Sequence, residues 1–307
     1  MIDLTSSGIV LFGFEIYWYA LLIVVGVIAA VLLSRLRERK LGLGKDTTID
    51  LALSVVPLGV ICARIYYVLF SWEYYAAHPG EILSFRQGGL AIYGGVIGGV
   101  IGALLYCRIK KISFVRVADL IAPGLALAQA IGRWGNFINH EAYGYVVLNP
   151  RWQFFPLAVN IPGEGWHWAT FFYESVWCLI IAAILLTAEK RKMFRREGDT
   201  FLWYLLLYAL ERTLVEGLRT DSLYLLGMRV SQLLSLLAVI SVCVCFTLRA
   251  HNLPWLIRLM PITAAIFLTV CVALKLGGLG VVFAPVTAGF AAMIYKDTQF
   301  LSDKKEG

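Results

Sequence analysis

The sequence predicts an all-α, polytopic membrane protein of about nine transmembrane helices, and three observations carry that expectation. Of its 307 residues 60% are hydrophobic and 15% charged, with a mean hydropathy of +0.76. Soluble domains run near half apolar and about a quarter charged. The apolar residues come in blocks long enough for a ~30 Å hydrocarbon slab, which a helix crosses in about 20 residues. The basic residues behind the net charge of +7 fall in short clusters between those blocks, as membrane topology imposes. This distribution points away from nucleic acid as a partner.

In chain order the blocks predict spans at 16–33, 49–70, 90–107, 117–132, 173–188, 201–215, 230–248, 261–276 and 278–295. The first has no basic region before it, so it reads as a span and not as a cleavable leader. The fourth and sixth are short and charged, as expected of tilted or cavity-lining helices. Only Gly277 and Gly278 separate the last two, which predicts a tight hairpin.

Basic clusters orient the chain. Arg35, Arg37, Arg39, Lys40 and Lys45 follow the first span; Arg108, Lys110, Lys111 and Arg116 the third; Lys190, Arg191, Lys192, Arg195 and Arg196 the fifth; Arg249 and Arg258 the seventh; Lys296, Lys304 and Lys305 the ninth. The N-terminus is therefore expected outside and the C-terminus in the cytoplasm. Arg64, Arg86, Arg133, Arg151, Arg212, Arg219, Arg229 and Lys275 remain, within spans or on the outer side. Ionisable groups at membrane depth are costly and mark functional sites; for any single arginine the alternative is snorkelling to the interface.

Gly94, Gly98 and Gly102, with Gly95 and Gly99, give a small-residue face of the kind that lets helices approach closely. The loop 144–168, the longest on the outer side, carries Trp152, Trp166, His167 and Trp168 and predicts a structured interfacial cap. The six cysteines lie in apolar blocks, with no CxxC pair and no histidine at ligand spacing, and read as free thiols with no metal.

The densest polar cluster runs from Gln129 to Glu141. Gln129, Arg133, Asn136 and His140 are spaced four, three and four apart, one face of a helix. Hydrocarbon cannot satisfy that face, so it must look into protein. A guanidinium beside amides, with Gly132 and Gly135 leaving backbone accessible, suits a phosphate. Arg212, Glu216 and Arg219 form a second cluster, in which Arg212 and Glu216 could simply pair with each other; Asp221 follows as a candidate partner for Arg219 or Arg229. Glu15, Tyr17 and Tyr19 flank Trp18, and Tyr19 alone would pass for an interfacial aromatic. No Ser-His-Asp set, phosphate loop or metal-ligand cluster occurs. Arginines, amides, tyrosines and carboxylates fit anion binding better than hydrolysis.

These residues resemble the bacterial prolipoprotein diacylglyceryl transferases. The resemblance rests on Gly132-Arg-Trp-Gly-Asn-Phe-Ile-Asn-His-Glu-Ala-Tyr-Gly144 and on Gly88-Gly-Leu-Ala-Ile-Tyr-Gly-Gly95. Tyr17-Trp-Tyr19, Ala63 to Phe70, Tyr173-Glu174 and Val215 to Asp221 follow in the family's order and spacing, and together they cover Tyr17 to about Leu248. It implies a seven-helix core, here within 1–250, with a C-terminal hairpin and tail over 251–307 beyond the usual family length. It also implies transfer of a diacylglyceryl group from phosphatidylglycerol to the lipobox cysteine of a prolipoprotein signal peptide, without a cofactor, at the outer face of the bacterial cytoplasmic membrane.

By the same resemblance Arg133 and Arg219 bind the phosphate and stabilise its leaving charge. Asn136, Glu141 and Gly144 shape the headgroup pocket, and Tyr19 lines it. Arg64, Glu174, Glu216 and Arg212 support it. The substrate thiol reacts as thiolate, so a proton acceptor is needed. Tyr93 stands where many members carry histidine, and a tyrosine near pKa ~10 is a poor base at neutral pH; Glu141 is the other candidate. Trp168-Ala169 replaces a frequent His-Pro, with His167 one position away. Those departures keep open a silent lipid-binding relative; an anion transporter is the rival from another class, for which no internal repeat speaks.

Overall fold

The computed structural model describes residues 2–4, 8–11, 14–84, 88–220, 223–225, 228–250 and 253–306. Arg86, Asp221 and His251 lie outside the described residues, as do the side chains of Glu15, Lys304 and Lys305.

Among the described residues eight helices are long and apolar enough to cross a membrane. They are α1 (Trp18–Glu38), α2 (Thr47–Phe70), α4 (Ile92–Lys110), α5 (Phe114–Ile138), α6 (Thr170–Lys190), α8 (Val230–Arg249), α9 (Trp255–Ala273) and α10 (Gly277–Glu306). The ninth, α7 (Asp199–Val215), has 17 residues and carries Glu211 and Arg212, the short charged helix the sequence predicted. The chain is a polytopic all-α membrane protein. Its strands are short additions: β1 (Ile2–Leu4), β2 (Gly8–Leu11) and β3 (Phe14–Tyr17) form an antiparallel meander; β4 (Ala158–Ile161) pairs with β5 (Gly165–Trp168), and β6 (Tyr224–Leu225) with β7 (Met228–Arg229).

Two expectations are corrected. The fourth span is not short: α5 has 25 residues and runs through Pro123 to Ile138. Its polar end finds protein partners, so the pattern continues past the apolar block. The last two helices are joined at Leu274–Leu276, with Lys275 at φ 57°, and Gly277 and Gly278 belong to the first turn of α10. The meander before α1 was not foreseen, because three strands of three or four residues leave too short an alternation to read.

The chain divides into two compact units, residues 30–124 and residues 1–29 with 125–307. In the first, α4 packs antiparallel on α2 through the predicted glycine face. A Cβ at Gly98 would run into the Leu58 backbone, and one at Gly102 would come within 3.0 Å of the Ser54 carbonyl oxygen, which lies beside the Ser54 hydroxyl that donates to Gly102. Arg37, counted above as a topological charge, is buried and donates to the carbonyls of Asp119 and Leu120. Glu38 accepts from Thr48 and from the Asp46 amide. A short helix, α3 (Trp72–Ala77), and a 3-10 turn (Pro79–Glu81) follow α2.

In the second unit Leu206, Leu236, Phe246, Leu268, Ala284 and Tyr295 share one core, so α9 and α10 are packed into α7 and α8. Asp199, fully buried at the start of α7, accepts from Arg249 (2.7 Å), the Tyr295 hydroxyl (2.6 Å) and the Arg195 and Arg196 amides. The cysteines are all free.

The glycine face separates two neighbouring substitutions. Gly98→Ala drives a methyl into α2 and is expected to cost about 1–3 kcal/mol, as overpacking does. At Gly99 a Cβ meets only Val55 Cγ1, at 3.7 Å, so Gly99→Ala is expected to be near neutral. Thermal unfolding of both in one detergent checks this; equal loss would show that α2 and α4 do not touch on the Gly98 side.

Candidate active site

Glu174 on α6 is the centre of the second unit's polar site. Its side chain is 2% exposed, and it pairs with Arg133 from α5 and with Arg212 from α7 at 2.7 Å. Arg212 makes a second ion pair with Glu216 at 2.7 Å, and Arg219 stands 3.9 Å from both Glu174 and Glu216. The pairing of Arg212 with Glu216 is thus real but part of a larger group. The carboxylates lie behind at 2–3% exposure, while the arginines keep 11–18%. The accessible face of the cluster is therefore cationic.

Arg219 does not share a helix with Arg212. The helix ends at Val215, Glu216–Leu218 is a 3-10 turn, and Arg219 is extended, bridged to Gly144. That bridge explains Gly144. A Cβ there would come within 2.8 Å of Trp168 Cβ and 3.0 Å of the Leu218 carbonyl oxygen. Glycine lets the segment lie flat between β5 and the 3-10 turn, and so positions Arg219. Arg229, buried, donates to the carbonyls of Glu216 and Arg219 and holds the same turn from another side.

Tyr19, Asn136 and Glu141 gather beside Arg133. The Tyr19 ring fills the space a Cβ at Gly135 would need, and Glu141 and Arg133 both act electrostatically on its hydroxyl. Asn136 Nδ2 donates to Glu141 Oε1 at 3.1 Å, and Asn139 to the same oxygen at 3.4 Å. The helical face breaks before His140, which lies beyond α5 at φ 52°. Gln129 accepts from the Tyr204 hydroxyl at 3.0 Å. His167 is buried in the cap, which is structured as predicted; its Nδ1 lies 2.8 Å from the Gly144 carbonyl.

Arg64 and Tyr93 belong to the other unit. Arg64 is a loop clamp, donating to the carbonyls of Glu81, Ile82, Gly88 and Gly89 at 2.7–3.0 Å. Tyr93 lies in the first turn of α4 with its ring 6.4 Å from that of Tyr66.

One residue was missed. Glu211 on α7 is 6% exposed and neither carboxylate oxygen has a hydrogen-bond partner. The charges it feels are Glu174, Arg133, Arg212 and Glu216. A carboxylate in an apolar helix is itself a signal, but its neighbour Arg212 masked it as an ordinary charged dipeptide. Among the described residues no group of three or more His, Cys, Asp or Glu side chains has the arrangement to hold a metal ion.

The family model described as prolipoprotein diacylglyceryl transferase matches residues 8–248. The chain belongs to that family. Among similar proteins, the phosphatidylglycerol–prolipoprotein diacylglyceryl transferase of Limosilactobacillus reuteri (strain DSM 20016) is 42% identical over 79% of this chain and 90% of its own length. The protein of that name from Clostridioides difficile (strain 630) is 44% identical over 75% of this chain and 89% of its own. That of Bacillus cereus (strain Q1) is 44% identical over 78% and 90%. The matched region holds the whole arginine cluster and ends before α9.

The two carboxylates of α6 and α7 should respond oppositely to neutralisation. Glu174→Gln strips the partner from buried Arg133 and Arg212, a loss of about 3–5 kcal/mol for a broken buried pair. Glu211→Gln removes no hydrogen bond and is expected to leave the unfolding temperature unchanged or raised. Thermal unfolding decides; a Glu211→Gln loss as large as that of Glu174→Gln would mean that Glu211 is paired.

Proposed function

We propose that this enzyme transfers the diacylglyceryl group of phosphatidylglycerol to the lipobox cysteine of a prolipoprotein, the first step of lipoprotein maturation. The observation that carries the reading is the cationic face of Arg133, Arg212 and Arg219 over the buried Glu174 and Glu216, in a chain of this family.

The chemistry asks for little else. The acceptor thiolate attacks the glyceryl carbon that bears the phosphate. A C–S bond forms, the C–O bond breaks, and the electron pair leaves on glycerol phosphate. The charge that grows on the leaving oxygens falls to the guanidiniums, whose planar donors suit phosphate. No protein nucleophile is required, since the substrate brings the sulfur. Glu141, held by Asn136 and Asn139 beside Arg133, is assigned as acceptor of the thiol proton. A carboxylate accepts a proton at neutral pH more readily than a tyrosine with a reference pKa near ~10. Gly144, Tyr19, Asn136 and Glu216 serve as positioning groups.

The orientation follows from the basic clusters: N-terminus and site outside, C-terminus in the cytoplasm. On protoplasts, a membrane-impermeant maleimide is expected to label Arg151→Cys directly and Lys190→Cys only after permeabilisation. The reverse pattern would invert the topology.

Glycerol phosphate release from phosphatidylglycerol and a lipobox peptide tests the reaction. Arg133→Ala is expected to lower it about 10²–10³-fold, the loss typical of one charge-stabilising donor, and a Cys→Ser peptide to abolish it. With Glu141→Gln the rate should climb with pH toward the free-thiol pKa of ~8.5. Release that ignores both the thiol and Arg133 would refute the reading.

A further inference from the structure

A cavity of about 510 Å³ lies between the end of α7, the β6–β7 hairpin, the start of α8 and the α9–α10 turn. That is the size of a small-molecule or cofactor site, roughly 300–1,000 Å³. Much of its wall comes from residues between Cys271 and Val281, beyond the 8–248 matched by the family. The cavity is therefore a product of the C-terminal hairpin.

Its lining has two characters. Leu214, Leu218, Val272, Leu276 and Val281 give an apolar wall; Arg229 and Lys275 are cations, and among the described residues no carboxylate lines it. Arg229 is 7% exposed. Among the described residues its hydrogen-bond partners are all neutral: the Tyr224 and Tyr145 hydroxyls at 3.2 and 2.9 Å, and the carbonyls of Glu216 and Arg219. Among the described residues its charge meets no carboxylate. A buried cation held by neutral partners is expensive and draws an anion. A free anion would leave the apolar wall bare, and a neutral lipid would leave the cations unmatched. A molecule with one anionic head and an acyl chain satisfies both.

We propose that this cavity is a binding site for one anionic phospholipid that is not the substrate, with its phosphate toward Lys275 and Arg229 and a chain along Leu214, Val272 and Val281. Because Arg229 also grips the turn that carries Glu216 and Arg219, the bound lipid braces that turn. The site needs only the membrane setting and does not rest on the transfer reaction.

The test uses the full-length protein in phosphatidylcholine nanodiscs, without acceptor peptide, so that no turnover enters the result. Photoreactive phosphatidylglycerol is compared with photoreactive phosphatidylcholine, and adducts are read by mass spectrometry on residues 271–281, away from the arginine cluster. The anionic probe is expected to label these about fivefold more, the preference one basic residue near the surface confers. Lys275→Glu should bring the probes to parity. A Cβ at Gly278 meets nothing within 4 Å, so Gly278→Phe can fill the cavity without a backbone clash and should remove both adducts. Equal labelling of the unaltered protein by the two probes would overturn the proposal, as would undiminished labelling of Gly278→Phe.

Discussion

The structure turns on one constraint: a charge placed at membrane depth must find its counter-charge inside the protein. Glu174 answers it for the site. One nearly inaccessible carboxylate on α6 ties Arg133 of α5 and Arg212 of α7, and Glu216 extends the tie to the 3-10 turn before Arg219. Three segments distant in sequence are thereby fixed against one another. In a low-dielectric interior such pairs are stabilising only when kept whole, since a lone partner is left as an uncompensated charge. The same arrangement leaves the guanidiniums on the accessible side, so the interaction that holds the helices also presents the cations to an anionic substrate.

The constraint recurs where no chemistry is involved. Asp199, at the opposite end of α7, gathers Arg249, Tyr295 and two backbone amides, and so joins α7, α8 and α10. In the unit 30–124 the buried cations use backbone oxygens instead: Arg37 takes two carbonyls in the second turn of α5, and Arg64 takes four along the loop before α4. A buried arginine is thus no sure sign of a ligand unless, like Arg229, it also lines a cavity. What separates Arg133 and Arg219 from Arg37 and Arg64 is the partner: carboxylates that share the charge among several cations, rather than carbonyls that consume the donors of one.

The helices were legible because hydrocarbon demands long apolar runs, and the glycine face of α4 because close approach to α2 leaves room only for hydrogen. The arginines and carboxylates of the site were legible as costly residues in apolar blocks. Their geometry was not. Helical spacing put His140 on the face of Arg133, yet His140 lies beyond the end of α5, and Arg219 likewise lies beyond α7, where local periodicity stops carrying information. Gly144 was legible as part of the resemblance, while its physical task, a bridge to Arg219 beneath Trp168, depends on segments some 75 residues apart in sequence. Glu211 was overlooked because a charged dipeptide conceals which of its members faces protein and which lacks a partner.

The C-terminal hairpin shows how the same physics reaches past the family's region. Leu268, Ala284, Ala291 and Tyr295 sit in one core with Leu206, Leu236 and Phe246, and Tyr295 closes the polar group around Asp199. A helix pair held by both a shared apolar core and a buried charged hydrogen bond belongs to the fold as fully as α8 does. Its turn then stands beside Arg229, which braces the segment of Arg219 through the carbonyls of Glu216 and Arg219. The hairpin and the catalytic turn are therefore neighbours of one guanidinium, and whatever neutralises that guanidinium acts on both.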